Sequence, residues 1–387
     1  MNESRSGGKS SRETTEIAVL LWAAAVGTSF FTLEPALVGA LIDHLRLSVR
    51  EVGLISSGEL AGSAVGTVLV LLYGRLFSVR ATLVMSLAST GLANLATAAV
   101  HDFSTLALFR VAAGLSGGVA FSAVNAAAAR CRQPGRMFAA ISAVQMLFGV
   151  AGFMGMPPLI RAFGLPAVFL LLGLCSLGCA MASAVAIGRV PIHAASLRSS
   201  LSVTPRGALL LVSLFATYLT SAALWTYLER IGVAARLADQ VISIGLSIGM
   251  IAGVLGSLGA TLLLIRSRNT EPFVIGAAAI MAISTGLLIE ASAPLAYMTA
   301  LCGFNGALAL VTPLYLARLA GETGGDSRIL VAMLAMYLGL ISGPLLGAGL
   351  VAGLGYQDLI RGAAALFLTA ALLALGSSRL SPRMVRS

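Results

Sequence analysis

Residues 104–129 read STLALFRVAAGLSGGVAFSAVNAAAA, a run in which Arg110 is the only charged side chain. A helix needs about 20 apolar residues to cross the hydrocarbon of a bilayer, where no water is available to satisfy a loose backbone. A stretch this long and this apolar therefore predicts a transmembrane helix with one buried cation.

Similar runs recur on both sides of it. Spans are expected at residues 17–42, 52–73, 80–100, 104–129, 137–160 and 165–188, and again at 207–228, 240–265, 272–290, 295–319, 328–353 and 358–377. Of the 387 residues, 58% are hydrophobic and 10% charged, with a mean hydropathy of +0.96. An ordinary soluble domain carries about 25% charged residues. A water-facing surface cannot be built from this chain, and the expected fold class is an all-α integral membrane protein of twelve transmembrane helices.

The formal charge of +10 would suggest nucleic acid in a soluble protein. Here the basic residues sit in short connections between apolar runs, where they orient a membrane protein, and nucleic acid is excluded as a partner. With the N-terminus inside, 18 of the 25 basic residues fall on the cytoplasmic side, among them Arg75, Arg80, Arg130, Arg132 and Arg136. Both termini are therefore expected in the cytoplasm. Lys9 is the only lysine, which with the abundance of Ala and Gly suggests a GC-rich bacterial genome and hence a bacterial inner membrane. Residues 1–16 read as a polar tail, and the apolar run after them is too long for the core of a cleaved signal peptide.

The longest connection, residues 189–206, contains Pro191, Ser199, Ser200 and Pro205 and reads as a cytoplasmic linker. It separates an expected six-helix bundle at 17–188 from a second at 207–377, with a short tail at 378–387. Internal similarity supports the division: Met146, Gly149 and Gly164 correspond to Met336, Gly339 and Gly355 at an offset of about 190 residues. Two six-span halves are a known transporter architecture, with a substrate site at the midplane.

Enzymatic and ATP-driven readings find no support. His44, His101 and His193 are scattered, and no glycine-rich phosphate loop ending in lysine occurs. Cys175 and Cys179 lie one helical turn apart with no histidine or carboxylate nearby, so they read as apolar filler. No cofactor is expected.

The pattern resembles the major facilitator superfamily, and within it the twelve-span drug/proton antiporters. In the fourth span Leu106, Arg110, Gly114 and Gly118 match that family's L-x-x-x-R-x-x-x-G-x-x-x-G motif. In the eleventh, Gly339, Gly343, Pro344, Gly347 and Gly349 match its G-x-x-x-G-P-x-x-G-x-G pattern. The fifth span holds a degenerate copy in Gly149, Gly152, Gly155, Pro157 and Pro158. The loop after span two keeps Gly74, Arg75 and Arg80 but lacks the family's aspartate. The resemblance implies alternating access, with spans one and four lining a cavity and Arg110 engaged in proton coupling.

The motif residues also have a direct physical reading. Glycines three or four apart let helix backbones approach closely in lipid, and a Gly-Pro step weakens the helical ladder. Gly114, Gly118, Gly152, Pro157, Gly339, Gly343, Pro344 and Gly347 are the expected packing or gating positions.

Three charges fall well inside expected spans, away from the span ends: Glu34, Glu59 and Arg110. Each costs about 2.5–3.5 kcal/mol at the bilayer centre even on the lenient scale, so each should face a cavity or a partner. At 1.5 Å per residue, all three lie roughly 9–12 Å below the outer boundary. Burial opposes a carboxylate's charge and a nearby arginine favours it, so moving one relative to the other loads or releases a proton. Glu34 is the expected counter-charge of Arg110, and Glu59 a further coupling candidate. A static neutralising pair is the simpler alternative.

Substrate contact is expected from Phe30, Phe31, Asn125, Tyr218, Trp225 and Asn305. Trp225, with Tyr227, Glu229 and Arg230, reads equally as an interfacial anchor. The function that follows is secondary transport by a monomer: proton-coupled efflux of small amphipathic molecules, with a proton-coupled nutrient importer or a transport-inactive sensor as alternatives.

Overall fold

The computed structural model describes residues 3–131, 133–188, 190–192, 204–267, 269–320 and 325–379, and side chains for all of these except 3–12 and 325–330. Most of the expected linker at 189–206 and all but the first residues of the expected C-terminal tail lie outside the described residues.

The described residues form thirteen α-helices and no strand. They are α1 (Glu3–Gly27), α2 (Ser29–Leu45), α3 (Val49–Tyr73), α4 (Val79–Ala98), α5 (Phe103–Ala128), α6 (Pro134–Phe163) and α7 (Leu165–Ala186). The later ones are α8 (Pro205–Ala234), α9 (Asp239–Arg266), α10 (Glu271–Leu287), α11 (Pro294–Ala320), α12 (Gly325–Leu354) and α13 (Tyr356–Arg379). Twelve segments are long and apolar enough to span a bilayer, the first built from α1 and α2 together. All twelve expected spans are present. The polar residues read as an N-terminal tail continue the helix of the first span back to Glu3.

Local chemistry sets the helix ends. Ser78, Asp102 and Thr204 cap α4, α5 and α8 by accepting N–H bonds from Ala81, Thr105 and Gly207 at 3.2, 2.8 and 3.0 Å. The backbone N–H of Thr105, and after it the Thr105 side chain, hold the Asp102 carboxyl below the usual carboxylate range. Proline opens α6, α7, α8 and α10, where its missing N–H costs nothing. The seventh span runs furthest past its expected end, to Ala234. Glu229 and Arg230 pair with each other there, Nε to Oε2 at 2.5 Å, and so continue the helix as a neutral unit.

The chain divides into two compact units, residues 1–47 with 54–196, and residues 48–53 with 197–387. Within the first, α2 packs on α6, α4 on α7 and α4 on α5. Within the second, α8 packs on α12, α10 on α13 and α10 on α11. These are the same pairings, one to five, three to six and three to four, counted from the start of each half. The backbone repeats as well. Among the described residues four have positive φ, Arg46 (55°), Gly164 (78°), Arg236 (61°) and Gly355 (94°). They form two pairs separated by about 190 residues, each at the end of equivalent helices, so the duplication is written into backbone conformation where sequence identity has faded.

Candidate functional site

The site in the first unit begins with a glycine seam. A β-carbon built on Gly114 would land on the backbone carbonyl of Glu59, and one on Gly118 on the carbonyl of Ser63. From the other side, Gly62 and Gly66 of α3 sit against the backbone at Val111, Leu115 and Val119 of α5. Helices α3 and α5 are thus in backbone contact, which only residues without side chains permit. Arg110 lies one turn before Gly114 on the same face of α5. The seam therefore brings Glu59 and Arg110 to the same level.

Arg110 is 1% exposed. Its Nη1 lies 3.7 Å from Glu59 Oε2, and its Nη2 donates a 2.8 Å hydrogen bond to Asn94 Oδ1 on α4. The guanidinium carbon stands 5.7 Å from the centroid of Phe30 on α2 and 5.2 Å from that of Phe169 on α7. A desolvated cation over an aromatic face gains up to about 2 kcal/mol. Four helices around α5 thus contribute a carboxylate, an amide and two rings to one guanidinium. Glu34, one turn after Phe30 on α2, is likewise buried, and it lies close enough to Glu59 for the two charges to repel. The hydroxyls of Ser56 and Ser57, buried on α3 just before Glu59, have no hydrogen-bond partner among the described residues.

The structure brings together Arg110, Glu59, Glu34 and Phe30. Sequence reading names Glu34 as the counter-charge of Arg110, whereas the ion pair seen here is with Glu59. Phe31 turns outward and is 41% exposed. Asn125 is half-buried further along α5. Gly152 of α6 sits directly against the Leu33 side chain of α2, and Pro157 is accommodated inside α6.

In the second unit, Tyr218 shares a 2.8 Å hydrogen bond with Thr312 on α11. Asn305 donates to its own helix at Leu301 O, 3.1 Å, and packs against Gly249 of α9. Trp225 and Arg230 are buried at 7% each and Tyr227 completely. Gly339, Gly343 and Gly347 line up along α8, facing Phe215, Leu219 and Ala223, with Pro344 held inside α12.

Two partners of Arg110 escape sequence reading. Asn94 could have been noticed as a lone amide in an apolar span, since buried amides in lipid seek partners. Phe169 is one phenylalanine among 15 and carries no such signal. A further polar link also emerges, in which Gln145 Nε2 of α6 donates to Thr28 Oγ1 at 2.8 Å, where α1 gives way to α2.

A paired helical repeat with twelve segments long and apolar enough to cross a bilayer, and with opposite charges buried among them, is the architecture of a membrane carrier. Residues 19–324 match the family model of the Major Facilitator Superfamily, and the chain belongs to that family. It is a transporter rather than an enzyme.

Solved structures agree on the fold. A bacterial homologue of the human lysosomal transporter Spinster, inward-facing and unoccupied, superposes with a TM-score of 0.69 at 12% identity, over 96% of this chain and 97% of that one. The nucleoside transporter NupG gives 0.73 at 12% identity, over 95% and 99%. The human organic anion transporter MFSD10 (TETRAN) gives 0.64 at 16% identity, over 93% and 98%. No curated protein matches the chain in sequence.

Proposed function

We propose that this transporter is a proton-coupled exporter of small amphipathic molecules, cycling a proton on the carboxylates beside Arg110. The observation that carries the reading is the buried cluster itself, in which Glu59 stands 3.7 Å from Arg110 with Glu34 near by. Burial opposes the charge of the Glu59 carboxylate and the neighbouring Arg110 favours it, so moving one relative to the other loads or releases a proton. Protonating Glu59 does not strand the arginine, because Asn94 and both rings still hold it. A proton carried through 100 mV is worth roughly 2.3 kcal/mol, enough to drive a useful substrate gradient.

Export rather than import is supported by the span-eleven glycine-proline pattern, which resembles that of the antiporters. The asymmetry of loop charge supports cytoplasmic termini, and composition supports a bacterial inner membrane. The carrier is read as a monomer that binds its substrate, protons and lipid.

The deciding experiment is flux of a compound panel in inverted vesicles, with and without an uncoupler, for the wild type and for Glu59→Gln and Glu34→Gln separately. Each exchange removes an ionisable proton while nearly keeping shape. At least one should abolish gradient-driven flux while leaving substrate binding intact. Full gradient-driven flux in both variants would overturn the proposal.

A further inference from the structure

The first unit holds a second concave site, far from Arg110. A cavity of about 740 Å³ opens at the end of the bundle where α1 enters the membrane and α5, α6 and α7 meet their connecting loops. Its volume is in the range of small-molecule sites. Arg130, on its wall, lies 20 residues after Arg110, a distance along the helix direction of about 30 Å. The cavity therefore sits at the level of the lipid headgroups, at the opposite end of the span from the buried ion pair.

Its chemistry is divided. The floor is apolar, with Leu20, Val79, Met137 and Ile187 all buried. Helix α1 supplies two carboxylates, Glu13 and Glu16, one turn apart. The end of α5 and the start of α6 supply two guanidiniums, Arg130 and Arg136. Charges of both signs on one rim ordinarily pair, yet among the described residues Glu13, Glu16 and Arg136 take part in no ion pair. Arg130 gives its Nη1 to Pro191 O at 2.6 Å, in a strap where Val79 N also bonds Val190 O at 2.8 Å. That strap fixes one edge of the opening. The Cys131 thiol on the wall is pushed up by burial, and Glu16 and Glu13 act in the same direction.

We propose that this cavity is a headgroup site for a zwitterionic aminophospholipid, whose phosphate lies on Arg130 and Arg136, whose ammonium lies on Glu13 and Glu16, and whose acyl chains continue over the apolar floor. The occupant must carry both charges, since an anionic headgroup leaves the carboxylates facing a like charge. It must also donate hydrogen bonds from its cation, since carboxylates take charge-assisted N–H bonds that a quaternary ammonium cannot give. Phosphatidylethanolamine satisfies both conditions.

Cys131 reports occupancy. The intact chain is reconstituted in phosphatidylcholine nanodiscs, alone or mixed with phosphatidylethanolamine or phosphatidylglycerol, and N-ethylmaleimide modification of Cys131 is followed at the peptide level at one pH. Phosphatidylethanolamine should slow it by about tenfold relative to the other two, and native mass spectrometry should find that lipid selectively retained. The Glu13→Gln/Glu16→Gln double variant should lose the preference over phosphatidylglycerol, and Arg136→Gln should weaken retention of both. Equal protection by phosphatidylglycerol or phosphatidylcholine in the wild type, or an unchanged preference in the double variant, overturns the proposal. So does full protection in detergent by soluble phosphoethanolamine alone, which would mark the cavity as a site for a free small molecule.

Discussion

Asn94 Oδ1 accepts a 2.8 Å hydrogen bond from the Arg110 guanidinium, a closer contact than the 3.7 Å between that guanidinium and the Glu59 carboxylate. The neutral amide, not the acid, is the nearer polar partner of the buried cation. Hydrogen bonds to charged groups contribute about 1.5–3 kcal/mol, and more is lost when a buried charge is left without one. Asn94→Leu should therefore lower the thermal stability of the purified carrier measurably and weaken substrate binding. Glu59→Gln, which keeps a carbonyl oxygen facing Arg110, should cost less stability. Equal melting temperatures for wild type and Asn94→Leu would refute the ranking.

Gly114 is the closest point between α5 and the backbone of Glu59. Gly114→Ala forces the helices apart just where the carboxylate faces the arginine, and transport should fall by about a hundredfold, the order of loss that a misplacement of about 1 Å brings. Gly155→Ala, on α6, meets nothing within 4 Å and should be tolerated or slightly stabilising. The comparison is made on equal amounts of inserted protein, and similar flux from the two variants would argue against the seam.

In the second unit, a β-carbon on Gly343 would stand 2.5 Å from the Ala222 side chain and 2.6 Å from the Leu219 carbonyl, whereas Leu345 is 42% exposed. Gly343→Leu should impair transport severely, because bulk blocks the approach of α12 to α8, and Leu345→Ala should have little effect. Normal flux by a fully inserted Gly343→Leu carrier would contradict this.

Gly164 and Gly355 are uncrowded, Gly355 having no neighbour within 4 Å, but their φ angles of 78° and 94° are open essentially to glycine alone. Alanine at either position should cost about 1–3 kcal/mol through backbone strain. Because the two residues are equivalent in the repeat, the losses should be similar, and thermal unfolding of the two single variants tests that. No loss at either position would show that these turns relax freely.

Membrane sidedness is tested by single cysteines at Ser48 and Ser199, labelled with an impermeant reagent from each side. The distribution of arginines predicts Ser48 outside and Ser199 inside. Labelling of both from one side would contradict the orientation.

The spans were legible because hydropathy is additive along the chain, and twelve long apolar runs admit few other folds. The members of the charged site were legible for a different reason: Glu34, Glu59 and Arg110 are too costly in hydrocarbon to be incidental. Their pairing was not. Depth follows from counting residues, whereas the rotation of each helix depends on which neighbour it packs against. The α3–α5 seam turns Glu59 toward Arg110, and reading it would have required pairing Gly62 and Gly66 with Gly114 and Gly118 in advance. Phe169 was hidden because α7 holds no charge at that level and one phenylalanine among 15 carries no signal, whereas Asn94 was legible only as a lone amide in an apolar span, with nothing to say that its partner lay on α5. In span seven, Glu229 and Arg230 lie past the expected end, yet they pair with each other and the helix runs on to Ala234.

The contact between Gly114 and the Glu59 carbonyl has a consequence for how this carrier tolerates change. The position of the acid is set by the absence of a side chain on a different helix, so the two loci are inherited together. In a saturation library selected for survival on a toxic substrate, Gly114 should be as intolerant as Glu59 itself while inserted protein persists, because the atoms an added side chain meets are the backbone of Glu59 and no smaller side chain can make room there.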